Sequence, residues 1–167
     1  MKSKTYRKQW MYGWIVSGLM MMVMGAGFAF AEERKDMGGW ELDSPYNRYY
    51  HSAELDQLKG TVEKISTRVP LKDMAPAVVL FVKESGGETT MVHVCPEWYL
   101  GPKQMGLKKG DKVKIRGAWA EIGGEFVFMA SKIKKGDYFE LKVRLTKDGK
   151  PFWTMSPEEI ARETAGD

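Results

Sequence analysis

Residues 89–131 read TTMVHVCPEWYLGPKQMGLKKGDKVKIRGAWAEIGGEFVFMAS, and this stretch decides the fold. The apolar run that opens at Thr89 ends at Pro96, which has no N–H to give to a strand ladder, so the strand stops there. Further on, Lys112, Lys114 and Arg116 alternate with Val113, Ile115, Gly117 and, beyond, Trp119, the period-two pattern of a half-buried strand. Gly123-Gly124 permits the positive φ angles of a tight hairpin, after which Phe126, Phe128 and Ala130 alternate with Val127, Met129 and Ser131. Between these strands, Glu97–Met105 holds Trp98, Tyr99 and Leu100 ahead of Gly101-Pro102 and is expected to form a short helix.

Two strands precede this stretch. Leu58, Gly60 and Val62 alternate with Lys59, Thr61 and Glu63, with Gly60 marking a bulge or sharp bend. Ala77–Val82 is apolar on both faces, and Ser85-Gly86-Gly87-Glu88 turns it back into Thr89–Cys95. Three strands, a short helix and two more strands predict an all-β fold, a five-stranded OB-fold Greek-key barrel over residues 58–136. An immunoglobulin-like sandwich would want about seven strands and no helix before the fourth. One extra strand is expected from Tyr138 to Leu145, followed by Pro151-Phe152-Trp153 docking on the barrel, within a segment covering 137–155. Residues 156–167 open with a Ser156-x-x-Glu159 capping signature and read as a short helix or a frayed tail.

Ahead of the barrel, residues 32–57 lack periodicity and form an N-terminal arm, with three basic residues against seven acidic ones. Its Trp40, Tyr46, Tyr49 and Tyr50 are too apolar for a solvated linker and are expected to pack along the barrel; a partner-binding aromatic patch is the alternative. Residues 1–31 have a basic start, an uncharged apolar centre and an Ala29-Phe30-Ala31 ending, the layout of a signal peptide cleaved after Ala31. An uncleaved membrane anchor is the competing reading, since Gln9–Ala31 is long enough to cross a bilayer. Cleavage predicts Sec export and, in a diderm bacterium, a periplasmic protein.

The leader also accounts for the charge. The chain has 26 Lys and Arg against 22 Asp and Glu, a net +4, and the whole excess is Lys2, Lys4, Arg7 and Lys8. The exported body is neutral, so the pI near 9.0 does not itself argue for a nucleic acid. The single cysteine excludes an internal disulfide and covalent haem c, which needs Cys-x-x-Cys-His.

Several motifs recur together: Ser44-Pro45-Tyr46-Asn47-Arg48, Gly60-Thr61-Val62, His93 through Leu100, Lys109-Gly110-Asp111 with Gly117, Lys134-Lys135-Gly136-Asp137, and Gly149-x-Pro151-x-Trp153. In these the chain resembles small exported bacterial OB-fold proteins, often labelled DNA-binding or OB-fold proteins, some of whose relatives are magnetosome-associated. The resemblance implies fold and export but no established reaction. Where such relatives tend to carry His-Leu-Gly-Pro, this chain has His93-Val94-Cys95-Pro96.

Candidate chemistry is sparse. Met91, His93 and Cys95 alternate on one strand, and simple alternation puts them on one face, a soft donor set suited to copper, with iron the other metal to consider. A buried cysteine beside a histidine that satisfies a carbonyl is the ordinary alternative. No Gly-x-Ser-x-Gly motif or phosphate-cradling glycine loop occurs, so no enzyme and no cofactor are expected. Lys103–Asp137 carries nine cations against four carboxylates. Lys112, Lys114 and Arg116, with Trp98, Tyr99 or Trp119 nearby in sequence, form the candidate partner or ligand face. Its expected partner is an exported or envelope protein or a small ligand, within a redox or metal-handling system. A single-stranded nucleic acid is the alternative occupant, and alternating lysines on a solvated strand face are the bland reading.

Overall fold

The computed structural model describes residues 36–165; the leader expected over 1–31 lies outside the described residues. Six strands form one sheet: β1 (Leu55–Arg68), β2 (Ala77–Glu84), β3 (Thr89–Pro96), β4 (Lys112–Ile122), β5 (Glu125–Lys135) and β6 (Phe139–Lys142). Among the described residues helix is confined to three single turns and α1, Pro157–Thr164. The strand order is β3-β2-β1-β4-β5-β6, antiparallel throughout, with an added parallel pairing of β3 to β5 at Val92 and Phe128 and at His93 and Met129. No helix among the described residues is long and apolar enough to cross a membrane.

β1 is the hub. At fourteen residues it is long enough for its first half to pair with β4 and its second with β2. Gly60 sits where these pairings meet, and a Cβ there would strike the Lys83 carbonyl and the Val82 side chain. The glycine serves this close approach. The bulge falls later, where Val62 pairs with Val82 but Lys64 with Phe81, leaving Glu63 as the extra residue.

Two expectations change. Glu97–Met105 is a pair of turns: Tyr99 and Leu100 N–H groups bond to the Pro96 carbonyl, and Gln104 N–H to the Gly101 carbonyl. The short helix expected there does not form because Gly101-Pro102 interrupts the segment after one helical turn. The extra C-terminal strand is also shorter than Tyr138–Leu145, ending at Lys142. Beyond it the chain folds back at Gly149, with Arg144 bridged to Pro151.

The core runs through the inner residues of β1 to β5 and extends into the arm, where Trp40, Tyr46 and Tyr50 are buried. Trp40 meets Tyr46 at 4.6 Å and Trp153 at 5.6 Å between ring centroids, both edge-on. Each indole N–H is satisfied: Trp40 donates to the Ala75 carbonyl and Trp153 to the Trp40 carbonyl, both at 2.9 Å. α1 begins with a full capping box between Ser156 and Glu159.

Candidate functional site

The basic face is built by strand register. Lys112, Lys114 and Arg116 stand exposed on β4. Across the β1 pairing Lys59 lies opposite Lys114 and Gln57 opposite Arg116; across the β5 pairing Lys134 lies opposite Lys114 and Lys132 opposite Arg116. Two rows therefore cross three strands, Lys59-Lys114-Lys134 and Gln57-Arg116-Lys132. Like charges directly opposite each other oppose folding, by roughly 0.5 kcal/mol for each pair.

The β4–β5 alignment depends on one irregularity. From the hairpin turn the pairs run Ile122 with Glu125 through Gly117 with Ala130, and the register then shifts so that Arg116 pairs with Lys132. Ser131 is the extra residue, its hydroxyl donating to the Arg116 carbonyl at 3.1 Å. Without that bulge Arg116 would oppose Ser131 and Lys114 would oppose Ile133, and the cations would not face each other.

One carboxylate answers this array. Glu140 on β6 pairs with Lys134 at 2.8 Å and with Lys132 and Lys142 at 3.5 Å, and its hydrogen bond to Lys134 leads the influences that hold its carboxyl below the ordinary range. Among the described residues no salt bridge joins Lys59, Lys112, Lys114 or Arg116 to a carboxylate. A broad groove of about 860 Å³ runs over the Lys59-Lys114-Lys134 row to Lys83 and Lys112, with Glu84 and Asp137 also in its lining and no aromatic side chain there. A smaller cleft of about 190 Å³ lies over the second row.

The aromatic residues expected to join this face lie elsewhere. Trp119 alternates out of phase with Lys112, Lys114 and Arg116, so it points to the other side of β4. There it stacks on Phe126 at 5.4 Å and donates from Nε1 to Asp56 Oδ2 at 3.1 Å. Phe126 is 69% exposed, so this pair forms a separate surface feature. Trp98 is exposed on the turn after β3, edge-on to Tyr99, which in turn packs against Trp153 at 5.8 Å.

A third bulge interrupts the strand that carries the soft-donor residues. His93 pairs with Val79, but Cys95 pairs with the adjacent Val78, leaving Val94 as the extra residue. Val78 and Val79 point to opposite faces, so Cys95 does not share the face of Met91 and His93 that simple alternation gives. His93 is buried, and its Nδ1 lies 3.1 Å from the Tyr46 hydroxyl. Burial pushes the Tyr46 phenol up to about 12, so the phenol keeps its proton at neutral pH. Desolvation, reinforced by Arg144 and Arg68, lowers His93 to about 4. The Cys95 thiol lies 3.6 Å from the Leu100 carbonyl oxygen, and burial pushes it up to about 12.

Arg144 was not legible as a special residue. It is buried, donates from Nη1 to Asn47 Oδ1 at 2.8 Å and to the Gly149 carbonyl at 3.2 Å, and lies over the rings of Tyr46, Tyr50 and Trp153 at 5.7, 5.9 and 4.7 Å. Among the described residues no carboxylate pairs with it. The Tyr46-Asn47, His93 and Gly149-to-Trp153 motifs, far apart in sequence, thus converge around one guanidinium. The signal was present only as a cation followed by a turn that returns to Pro151.

No curated protein matches the chain. The model of the MamS/MamX magnetosome protein family matches residues 54–140. That span is more than half of the chain and takes in β1 to β5 whole, with both basic rows and Glu140. The chain belongs to the MamS/MamX magnetosome protein family.

Proposed function

We propose that the protein is an exported, non-catalytic binding module with a magnetosome-associated role, which docks an acidic segment of another exported or envelope protein on its basic sheet face. The observation that carries this reading is the run of opposed cations across β1, β4 and β5, in which, among the described residues, Glu140 is the one carboxylate ion-paired with the rows. Such an array destabilises the free fold and becomes favourable when an anionic partner lies over it. The scaffold reading is an OB-fold barrel, supported by pairings that run β1–β2–β3–β5–β4 and return to β1. Export to the periplasm rests on the leader pattern of residues 1–31. The non-catalytic reading is supported by the buried state and raised pKa of the one thiol, which remove it as a nucleophile.

A single-stranded nucleic acid draws on the same charge, but OB-type recognition also needs aromatic platforms for the bases, and the groove lining has none. A copper site at Met91, His93 and Cys95 has less support still, because the bulge at Val94 breaks the alternation on which the shared face rested and a thiol pushed up to about 12 resists forming the thiolate that a soft metal takes.

The test uses a fluorescent oligo-glutamate peptide and an oligothymidine of equal charge. The peptide is expected to bind at low salt and to weaken by roughly tenfold at high salt. The triple variant Lys59→Glu, Lys114→Glu, Lys134→Glu should abolish binding. Unchanged binding by the variant, or tighter binding of the oligothymidine, overturns the reading.

A further inference from the structure

We infer that the smaller cleft on the basic face is a binding site for a phosphate-type oxyanion. Its lining is Gln57, Lys114, Arg116, Lys132 and Lys134, in a volume of about 190 Å³. All five side chains present N–H donors, four are cations, and no carboxylate is in the lining. The space suits one tetrahedral anion with a few waters, given roughly 30 Å³ for each water.

Three strands build the cleft. Gln57 comes from β1, Lys114 and Arg116 from β4, and Lys132 and Lys134 from β5, brought opposite one another by the register shift at Ser131. Arg116 offers a planar fork that matches two oxygens of one anion, while the lysines add compact charge and Gln57 a neutral donor. Glu140 approaches from the β6 side and takes up the β5 lysines, leaving the β4 cations Lys114 and Arg116 without a carboxylate among the described residues. The charge deficit thus falls on the β4 side of the cleft. A polyvalent oxyanion with several acceptors can bridge Arg116 and Lys114 to Lys132 and Lys134 at once, which chloride cannot do. The inference rests on reading the basic face as a ligand surface, but not on the ligand being a polypeptide. Free phosphate and a phosphate-monoester lipid headgroup share the required chemistry.

The experiment is calorimetric titration of the protein, purified from the exported fraction, with inorganic phosphate, against sodium chloride at matched ionic strength. Saturable phosphate binding is expected in the unaltered protein and in Lys109→Gln, which removes an exposed charge outside the cleft. Lys114→Gln and Arg116→Gln should each weaken it by about tenfold while leaving the circular dichroism spectrum unchanged. Co-sedimentation with phosphatidylcholine vesicles, with and without phosphatidic acid, distinguishes the sources. Retention that needs both phosphatidic acid and the cleft residues identifies a headgroup, and phosphate binding without such retention identifies the free anion. Either supports the site. Absence of saturable binding to both, or an equal loss in Lys109→Gln, overturns it. If oligo-glutamate binds and phosphate does not, only this site falls; if phosphate binds and oligo-glutamate does not, the docking reading falls and the site stands.

Discussion

A buried guanidinium without a carboxylate is costly unless its surroundings replace water, and around Arg144 those surroundings are a carbonyl, an amide oxygen and three aromatic faces. They come from two stretches of chain, residues 46–50 and 149–153, so the residue ties the arm to the C-terminal segment. Arg144→Ala strands the Asn47 and Gly149 acceptors and opens a cavity, and should cost about 3 kcal/mol in denaturant unfolding. The neighbouring His93 gives a pH signature. Its folded value of about 4 lies below the ordinary 6.5, so the unfolded chain takes up a proton that the folded chain refuses. Its contribution to stability is complete above the unfolded value and is lost as pH falls towards the folded one, by up to about 1.4 kcal/mol per pH unit. Between about pH 7 and about pH 5 stability should drop by about 2 kcal/mol, and His93→Gln should flatten that slope. The same slope in the variant would assign it elsewhere. Cys95, fully buried and with its thiol pushed up to about 12, should react with a disulfide reagent only as fast as the protein unfolds.

The β4–β5 hairpin carries both the fold and the basic rows. A Cβ at Gly117 would strike the Met129 carbonyl and sit 2.8 Å from the Phe128 ring. Gly117→Ala is therefore expected to cost about 3 kcal/mol, at the upper end of overpacking, and to lower the thermal midpoint without moving charge. This hairpin also shows what could be read in advance and what could not. The strands from Ala77 to Ser131 follow from period-two alternation and from glycine pairs, and they form where that pattern puts them. The bulges at Glu63, Val94 and Ser131 do not follow from alternation, and each changes which residues face each other. At Ser131 the clue was present: unbroken register from Gly123-Gly124 sets Lys114 against Ile133, a polar residue against a core residue, and only an extra residue resolves that conflict. The opposed cations were visible as a charge count, but their pairing was not. The contact between Trp153 and Trp40 spans 113 residues, and no local pattern specifies such a pair. Gly101-Pro102 was a readable helix breaker, and it keeps Glu97–Met105 as turns.

At the scale of the whole molecule, the β4–β5 hairpin sets charge and one aromatic pair on different sides. The basic rows occupy one side of β1, β4 and β5, while Trp119 and the exposed Phe126 lie on the other side of the same hairpin. Docking by charge then predicts fast, salt-sensitive association, because exposed lysines act over about a Debye length and lose reach as salt rises. Nothing in that mode needs the indoles. The most direct test is residue-resolved amide chemical-shift mapping of the protein titrated with oligo-glutamate. Perturbations should centre on Lys59, Lys114, Arg116 and Lys134 and leave the Trp98 and Trp119 indole signals in place. Perturbation of those indoles, with the basic rows unmoved, would contradict docking on the basic sheet face.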